Sequence, residues 1–248
     1  MSGVIGELPD SVAVHRKRDP EAFLARITIV AEGPTEIGFV ASLLKRAIGD
    51  DLTQRGIWIT DGGGNDTTLQ LLEALVDSGV VFAGFADNEG TAQGKWARVE
   101  TRLKELLFRW SEGCLEENVI KLVPKDRLEE FIRDQNGRPG DRLRTLAVRL
   151  DIVDKDYSTI NATSADLTNL IIEAATGAIP DDKKSLDKGK KKALTKHAQR
   201  WFKSVEGGRE LADKVFDFDL WPHLKDQLLP FLNAVRGAIS LPEITDLP

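Results

Sequence analysis

Two kinds of segment alternate along the first ninety residues of the chain. The runs RITIVA (26–31), RGIWIT (55–60) and VVFAGFA (80–86) are short, apolar and rich in β-branched or aromatic residues. Residues 35–49 and 67–78, which lie between these runs, carry apolar side chains at helical spacing. Short apolar runs of this kind indicate strands buried on both faces, and the periodic segments indicate helices. The order β-α-β-α-β therefore predicts an α/β fold with a right-handed, doubly wound parallel sheet.

The pattern changes after the third predicted strand. Residues 95–110 (KWARVETRLKELLFRW) place apolar side chains at helical spacing and predict a helix that faces the core. NVIKLV (118–123) predicts a fourth strand, and DRLEEFI (126–132) predicts the start of another helix. From 134 to 182 strand-like runs disappear and short helical segments lie between polar breaks. The remaining chain predicts helices that pack back on the sheet.

The composition of the chain excludes several classes of protein. Of the 248 residues, 41% are hydrophobic and 30% are charged, as in a globular protein, and the net charge is −6. No apolar stretch approaches the ~20 residues of a membrane span, and the N-terminus lacks a signal-peptide pattern. The single cysteine excludes a disulfide framework and a CxxC zinc site. A cytoplasmic protein without a membrane partner is the simplest expectation.

Acidic residues follow the predicted strands at the point where each strand ends. Glu32, Asp61 and Asp87 occupy these positions, Glu36 enters the first helix, and Glu89 lies two residues after Asp87. Sites in doubly wound sheets lie outside the carboxyl ends of the strands, and carboxylates on neighbouring strands can share one Mg²⁺ or Mn²⁺. Acids that cap helix N-termini are also common. The spacing alone leaves the two interpretations equally open.

Other chemistry is excluded or left open by the sequence. The loop DGGGND (61–66) is no Walker A motif, and GTAQGKW (90–96) is one residue too short, with Trp96 in place of Ser or Thr. We therefore expect no nucleotide to bind this chain. No G-x-S-x-G elbow is present. Residues 183–200 hold eight Lys or Arg against one Asp. Such a run is either a solvated helix or an arm that binds phosphate.

A family resemblance rests on several of these motifs. IVAEGPTE (29–36), the glycine-rich turn and GFADNEG (84–90) resemble the TOPRIM fold, and most closely the nuclease region of the OLD (overcoming lysogenization defect) endonucleases. PEAFLARITIVAEGPTE (20–36) and DRLEEFI are also similar to segments of that family, and RWFKSVEGGREL (200–211) is similar to a segment of its bacterial class 2 members. The resemblance runs from about residue 18 to about residue 216. It includes a helical insertion at the corresponding place.

The resemblance implies a two-metal DNA endonuclease with Glu32, Asp87 and Lys203 as catalytic residues. The implied metal ligands are Glu32, Glu36, Asp87, Glu89 and Glu129, with Glu130 as the alternative to Glu129. The implied cofactors are two Mg²⁺ or Mn²⁺ ions, which Ca²⁺ would replace without supporting cleavage. Many TOPRIM proteins have Asp where this chain has Glu89, so the exact coordination stays open. DNA is the implied partner, and its backbone is expected to contact Lys190, Lys191, Lys192, Lys196 and Arg200.

The resemblance also suggests a division of the chain. Residues 1–25 would form a lead-in segment or linker, 26–133 the TOPRIM nuclease core, 134–185 the helical insertion, and 186–248 a C-terminal helical part that packs on the core. Full OLD proteins carry an ATPase before the nuclease, so the chain is expected to be either the C-terminal part of a protein with an N-terminal ATPase region or a stand-alone relative. The sequence leaves open whether the chain forms a homodimer.

Two rival functions remain from the sequence. A receiver domain also places acids around Mg²⁺ at the ends of strands one and three, and would accept a phosphoryl group. It usually has consecutive acids after strand one, whereas this chain has EGPTE (32–36). The other rival is a TOPRIM-like module that binds DNA without cutting it.

Overall fold

A four-stranded parallel sheet lies at the centre of the protein. The computed structural model describes residues 9–76, 80–133 and 140–247. Its strands are Ile27–Ala31 (β1), Ile57–Asp61 (β2), Phe82–Ala86 (β3) and Leu107–Arg109 (β4), in the order β2-β1-β3-β4. Every pair is parallel. The α/β prediction is confirmed. Predicted features at residues 1–8, 77–79 and 134–139 lie outside the described residues.

Helices make up most of the rest of the described chain. They are Asp10–Arg18 (α1), Pro34–Ile48 (α2), Asn65–Leu75 (α3), Gln93–Leu103 (α4), Leu115–Ile120 (α5), Leu128–Ile132 (α6), Gly140–Arg149 (α7), Tyr157–Thr163 (α8), Leu167–Thr176 (α9), Lys188–Thr195 (α10), Val205–Asp217 (α11) and Trp221–Ala238 (α12). Short 3₁₀ turns link several of them. None of these helices combines the length and the apolarity that crossing a bilayer requires.

Two sequence predictions are wrong at the fourth strand. NVIKLV is not a strand, because residues 115–120 form α5. The strand is instead LFR (107–109), so the helix predicted over 95–110 ends at Leu103. A short apolar run cannot be assigned to helix or strand from its pattern alone, and tertiary packing decides. Phe108 stacks on Phe85 of the neighbouring strand, with the ring centroids 4.7 Å apart.

The sheet is buried on both faces, as the continuous apolar runs predict. Ile27 and Ile29 of β1 contribute to a large hydrophobic cluster with helices of one face. Val30, the next residue along β1, belongs to a second cluster that contains Leu72 and Trp96. The large cluster also includes residues between 146 and 175, which the sequence assigned to an insertion. These domain boundaries stay a prediction.

The backbones of helices α2 and α11 are in direct contact. A Cβ atom at Gly208 would overlap the carbonyl oxygen of Thr35 and lie 2.9 Å from the backbone N of Phe39. On the other helix, a Cβ at Gly38 would lie 2.9 Å from the backbone N of Arg209. Glycine is therefore required on both sides of this contact. The contact fixes the start of α11 against the first turn of α2.

This contact yields a stability prediction. Gly208→Ala should destabilise the protein by about 1–3 kcal/mol, because overpacking forces two backbones apart. Gly237→Ala is the matched control, since Gly237 also lies in a helix but a Cβ added there would have nothing within 4 Å. The control should be neutral or stabilising by up to ~1 kcal/mol. Urea unfolding of both variants measures the difference, and equal midpoints would show that the two backbones are not in tight contact.

Candidate metal centre

Two of the predicted ligands lie at the ends of neighbouring strands. Glu32 directly follows β1 and Asp87 directly follows β3, and these strands pair in register. Their side chains are buried, with 8% and 5% of their surfaces exposed. Glu36 lies in the first turn of α2, which begins at Pro34, and is also buried. The structure thus brings three predicted acids to the carboxyl edge of the sheet.

Glu32 is held by two hydrogen bonds. Its Oε2 accepts from the backbone N of Asp87 at 3.0 Å and from Nδ2 of Asn65 at 2.8 Å. Asn65 begins α3 directly after the glycine loop, and the backbone N of Gly64 donates to the Glu32 carbonyl. The glycine loop therefore brings the start of α3 close to the end of β1, where Asn65 orients Glu32. No sequence motif singles out Asn65 for this role.

A fourth buried acid, Glu116, is one that the sequence patterns did not indicate. Oδ1 of Asp87 accepts a hydrogen bond from the backbone N of Leu115 at 2.9 Å, at the start of α5. Glu116 is the next residue and is 0% exposed. Donor atoms of Asp87, Cys114 and Glu116 all lie within 4.8 Å of one another. Glu116 lies just before the strand predicted over residues 118–123, whereas in the structure it lies in the first turn of α5, which brings it to the site.

Lys203 contacts the last of these acids, Glu116. Its Nζ lies 2.9 Å from Oε1 of Glu116. Lys203 lies two residues before α11, and Oγ1 of Thr35 donates to the carbonyl of Phe202 at 3.0 Å. The contact between α2 and α11 therefore places this lysine beside the acids. The structure brings the predicted Lys203 together with Glu36 and Asp87.

Burial raises the proton affinity of the acids. Desolvation is the largest cause of the raised pKa of Glu32, Glu36 and Asp87. For Glu32, the hydrogen bonds from Asp87 and Asn65 oppose this effect. Burial and the charge of Glu116 raise the pKa of Glu36 to about 7. Burial and then Glu36 and Glu32 raise the pKa of Asp87 to about 9. Burial alone would lower the pKa of Lys203, but Glu116 and Glu36 outweigh it and raise the pKa.

The donor set fits a divalent cation. Oε1 of Glu36 and Oε2 of Glu116 are buried and have no hydrogen-bond partner among the described residues. Buried polar atoms without partners are costly, and native proteins generally satisfy them. Carboxylate oxygens are the ligands that Mg²⁺ and Mn²⁺ take. One lysine contact offsets only part of the charge of four buried carboxylates, so the cluster has the charge and the vacant lone pairs that a cation needs.

Other predicted ligands lie at the surface. Glu89 is exposed, yet it is near enough to add to the raised pKa of Glu32. Glu129 is exposed and lies 3.5 Å from Arg133, and Glu130 is exposed and lies 3.1 Å from Arg127. The structure does not bring Glu129 or Glu130 into the buried cluster, because the core face of α6 consists of its apolar residues. Their role as ligands stays a prediction.

The basic run is partly helical and largely exposed. Asp187 caps α10, and a 3₁₀ turn, Lys196–Arg200, follows the helix. Lys190, Lys192, Lys196 and Arg200 are exposed, and Lys191 is half-buried. A surface groove of about 390 Å³ lies between α7 and this turn; it is lined by Asp141, Arg144, Thr145, Val148, Lys196, His197, Gln199 and Arg200. Two of the predicted DNA contacts therefore share a groove with a third cation, Arg144.

Comparisons with known proteins give structural likeness only. No family model and no curated protein matches the chain. The C-terminal region of the Xanthomonas campestris pv. campestris OLD protein is similar in structure, with a TM-score of 0.47 and 16% identity over 88% of this chain and 98% of that one. The C-terminal region of the Burkholderia pseudomallei OLD protein has a TM-score of 0.46 and 14% identity, over 88% and 100%. Both come from the family that the sequence motifs resemble.

The raised pKa values predict how stability depends on pH. A carboxyl group with a raised folded-state pKa binds more protons in the folded state, so stability falls as pH rises through the window between the unfolded and folded pKa values. Without divalent cations, urea unfolding should show stability falling between about pH 5 and pH 9, the window set by Glu36 and Asp87.

Asp87→Asn tests the cause of this dependence. The variant should have a flatter profile and should exceed the wild-type protein in stability near the upper end of the window, because an amide carries no charge to desolvate. Glu129→Gln at the exposed position should leave the wild-type profile unchanged. A wild-type profile that is flat in the presence of EDTA would contradict the electrostatic description of the cluster.

Proposed function

We propose that the protein hydrolyses DNA phosphodiester bonds with the help of divalent cations. The observation that carries this proposal is the buried cluster of Glu32, Glu36, Asp87 and Glu116 with Lys203 at its edge. Mg²⁺ or Mn²⁺, when bound there, would supply an activated water and stabilise the leaving oxygen. Two such ions are proposed, and Ca²⁺ is expected to bind without supporting cleavage. The motif resemblance to OLD nucleases agrees with this chemistry.

The chain's own residues have distinct tasks in this proposal. Glu32 is oriented by Asn65 and by the backbone of Asp87, and both hydrogen bonds go to Oε2, so the other carboxylate oxygen would be the one to bind a cation. Asp87 is fixed through Leu115 in the same way. Lys203 holds a positive charge beside the acids, where it would neutralise charge that develops on a phosphate. Preorganised groups of this kind need no rearrangement during the reaction.

The receiver alternative has less support in this structure. A phosphoacceptor carboxylate must be within reach of its donor, whereas only 5% of the surface of Asp87 is exposed. The DNA-binding module without cleavage shares the same contacts, so only an assay of the product separates it from a nuclease. The N-terminal ATPase region and the homodimer stay predictions.

Cleavage of supercoiled plasmid tests the proposal. With Mn²⁺ or Mg²⁺ the wild-type protein should nick or linearise the plasmid, and EDTA should abolish this activity. Glu116→Gln and Asp87→Asn should each lower the rate at least ~100-fold, since loss of charge stabilisation in the transition state has effects of this size. Glu243→Gln, at an exposed position for which no role is predicted, should cleave at the wild-type rate. Metal-dependent DNA binding without any cleaved product would instead favour the non-cleaving module.

The groove beside α7 is proposed to hold the DNA backbone next to the cleaved bond. Arg144, Lys196 and Arg200 line it, whereas Asp141 is its single acidic lining residue and lies 3.4 Å from Arg200. Arg200 also precedes Lys203 by three residues, so the groove and the candidate centre are joined by a short segment. Lys190, Lys191 and Lys192 on α10 extend the same basic segment. Contacts of this type give affinity without base recognition.

DNA binding in EDTA tests the groove separately from cleavage. Arg144→Glu should weaken binding several-fold and reduce the slope of log affinity against log salt by about one, because one phosphate contact is lost. Arg16→Glu makes the same change of charge at an exposed position on α1 and serves as the control. Fluorescence anisotropy with a labelled duplex measures both. Equal losses in the two variants would show a non-specific charge effect and contradict the groove.

A further inference from the structure

Cys114 is the only cysteine of the chain, and it lies beside the buried acids. It immediately precedes α5, between the strand end that carries Asp87 and the helix turn that carries Glu116. Its Sγ, an oxygen of Asp87 and an oxygen of Glu116 all lie within 4.8 Å of one another. Cys114 is half-buried. None of the sequence motifs assigns it a role.

A second observation indicates that this group of three can take a ligand. Glu116 is 0% exposed, and its Oε2 has no hydrogen-bond partner among the described residues. Lys203 contacts its other oxygen, Oε1. A fully buried carboxylate oxygen without a donor is costly unless a cation or a proton occupies it. This carboxylate belongs to the same group of three as the thiol.

We propose that Cys114, Asp87 and Glu116 form a mixed sulfur and oxygen site that prefers thiophilic divalent cations, such as Zn²⁺ or Cd²⁺, to Mg²⁺. Ligand atoms around one such ion lie roughly 3–4 Å apart for the usual bond lengths, so small side-chain rotations suffice to close the site. Thiolate ligands select soft and borderline metals, whereas Mg²⁺ takes oxygen ligands. Nuclease sites built from carboxylates alone would not make this distinction.

Binding at this site has a definite proton balance. The thiolate is the ligand, so the Cys114 thiol gives its proton to solvent when the metal–sulfur bond forms. No oxidant or reductant takes part.

A thiophilic ion at this site would have a regulatory consequence. Asp87 and Glu116 also belong to the candidate metal centre, so an ion held through Cys114 would occupy oxygens that Mg²⁺ or Mn²⁺ needs. Zn²⁺ or Cd²⁺ would then inhibit the hydrolysis by competition. This consequence rests on the proposed function, whereas binding of the metal through sulfur does not.

The single cysteine makes the proposal directly measurable. Titration of the wild-type protein with Cd²⁺ should produce the ultraviolet charge-transfer band of a Cd–thiolate bond at one equivalent. In the same protein, Cd²⁺ should slow labelling of the thiol by a disulfide reagent at least ~10-fold, whereas Mg²⁺ should leave the labelling rate unchanged. These two measurements require no variant and no DNA.

Variants assign the ligands. Cys114→Ser should lose the band and at least ~10-fold of the Cd²⁺ affinity while Mn²⁺ affinity changes little, because an oxygen replaces the sulfur. Glu116→Gln keeps the thiol but should also weaken Cd²⁺ binding. Glu112→Gln, at an exposed acid two residues before Cys114, is the control and should bind Cd²⁺ as the wild-type protein does.

The outcomes separate this inference from the proposed function. Absence of the band together with labelling that Cd²⁺ does not slow would overturn the sulfur site, even if Mn²⁺ supports cleavage of DNA. Presence of both signs in a protein that cleaves no DNA would support the sulfur site and count against the nuclease. Cd²⁺ binding of equal strength in Cys114→Ser and wild-type protein would also overturn the site.

Discussion

The close contact between α2 and α11 is the constraint on which the candidate centre depends. Gly38 and Gly208 let the two backbones meet, and the hydrogen bond from Thr35 to the Phe202 carbonyl ties the segment before α11 to the first turn of α2. Lys203 follows Phe202 directly, so its ammonium group reaches Glu116. Thr35 and Phe202, which are 167 positions apart in the chain, thus become neighbours because Gly38 and Gly208 have no side chains.

The buried carboxylates beside this contact lower the stability of the folded protein when no cation is bound. Burial and mutual repulsion raise the pKa of Glu36 and of Asp87, and one lysine does not balance four carboxylates. Apolar packing on both faces of the sheet offsets this electrostatic repulsion and holds the acids at the edge of the sheet. A bound divalent cation would remove the repulsion, since it binds the charged form of each acid. The repulsion that lowers the stability of the metal-free protein therefore favours metal binding.

The sequence predicted the part of the site that follows from strand order. Glu32 and Asp87 end strands that can be neighbours in a doubly wound sheet, and the structure pairs these two strands. Glu116 could not be found this way, since its position depends on α5, which the apolar pattern presented as a strand. Lys203 came from a resemblance of motifs, and no local pattern indicates its contact with Glu116. Glu129 came from the same resemblance, but α6 turns it to solvent.

The buried cluster is proposed to hold divalent cations. Anomalous X-ray diffraction from crystals equilibrated with Mn²⁺ tests this proposal, because the signal locates the metal without reference to activity. We expect a Mn²⁺ peak within bonding distance of Asp87, with Glu32 and Glu116 among the neighbouring ligands. A crystal whose Mn²⁺ peaks lie only at exposed acids such as Glu129, with none among the buried carboxylates, would contradict it.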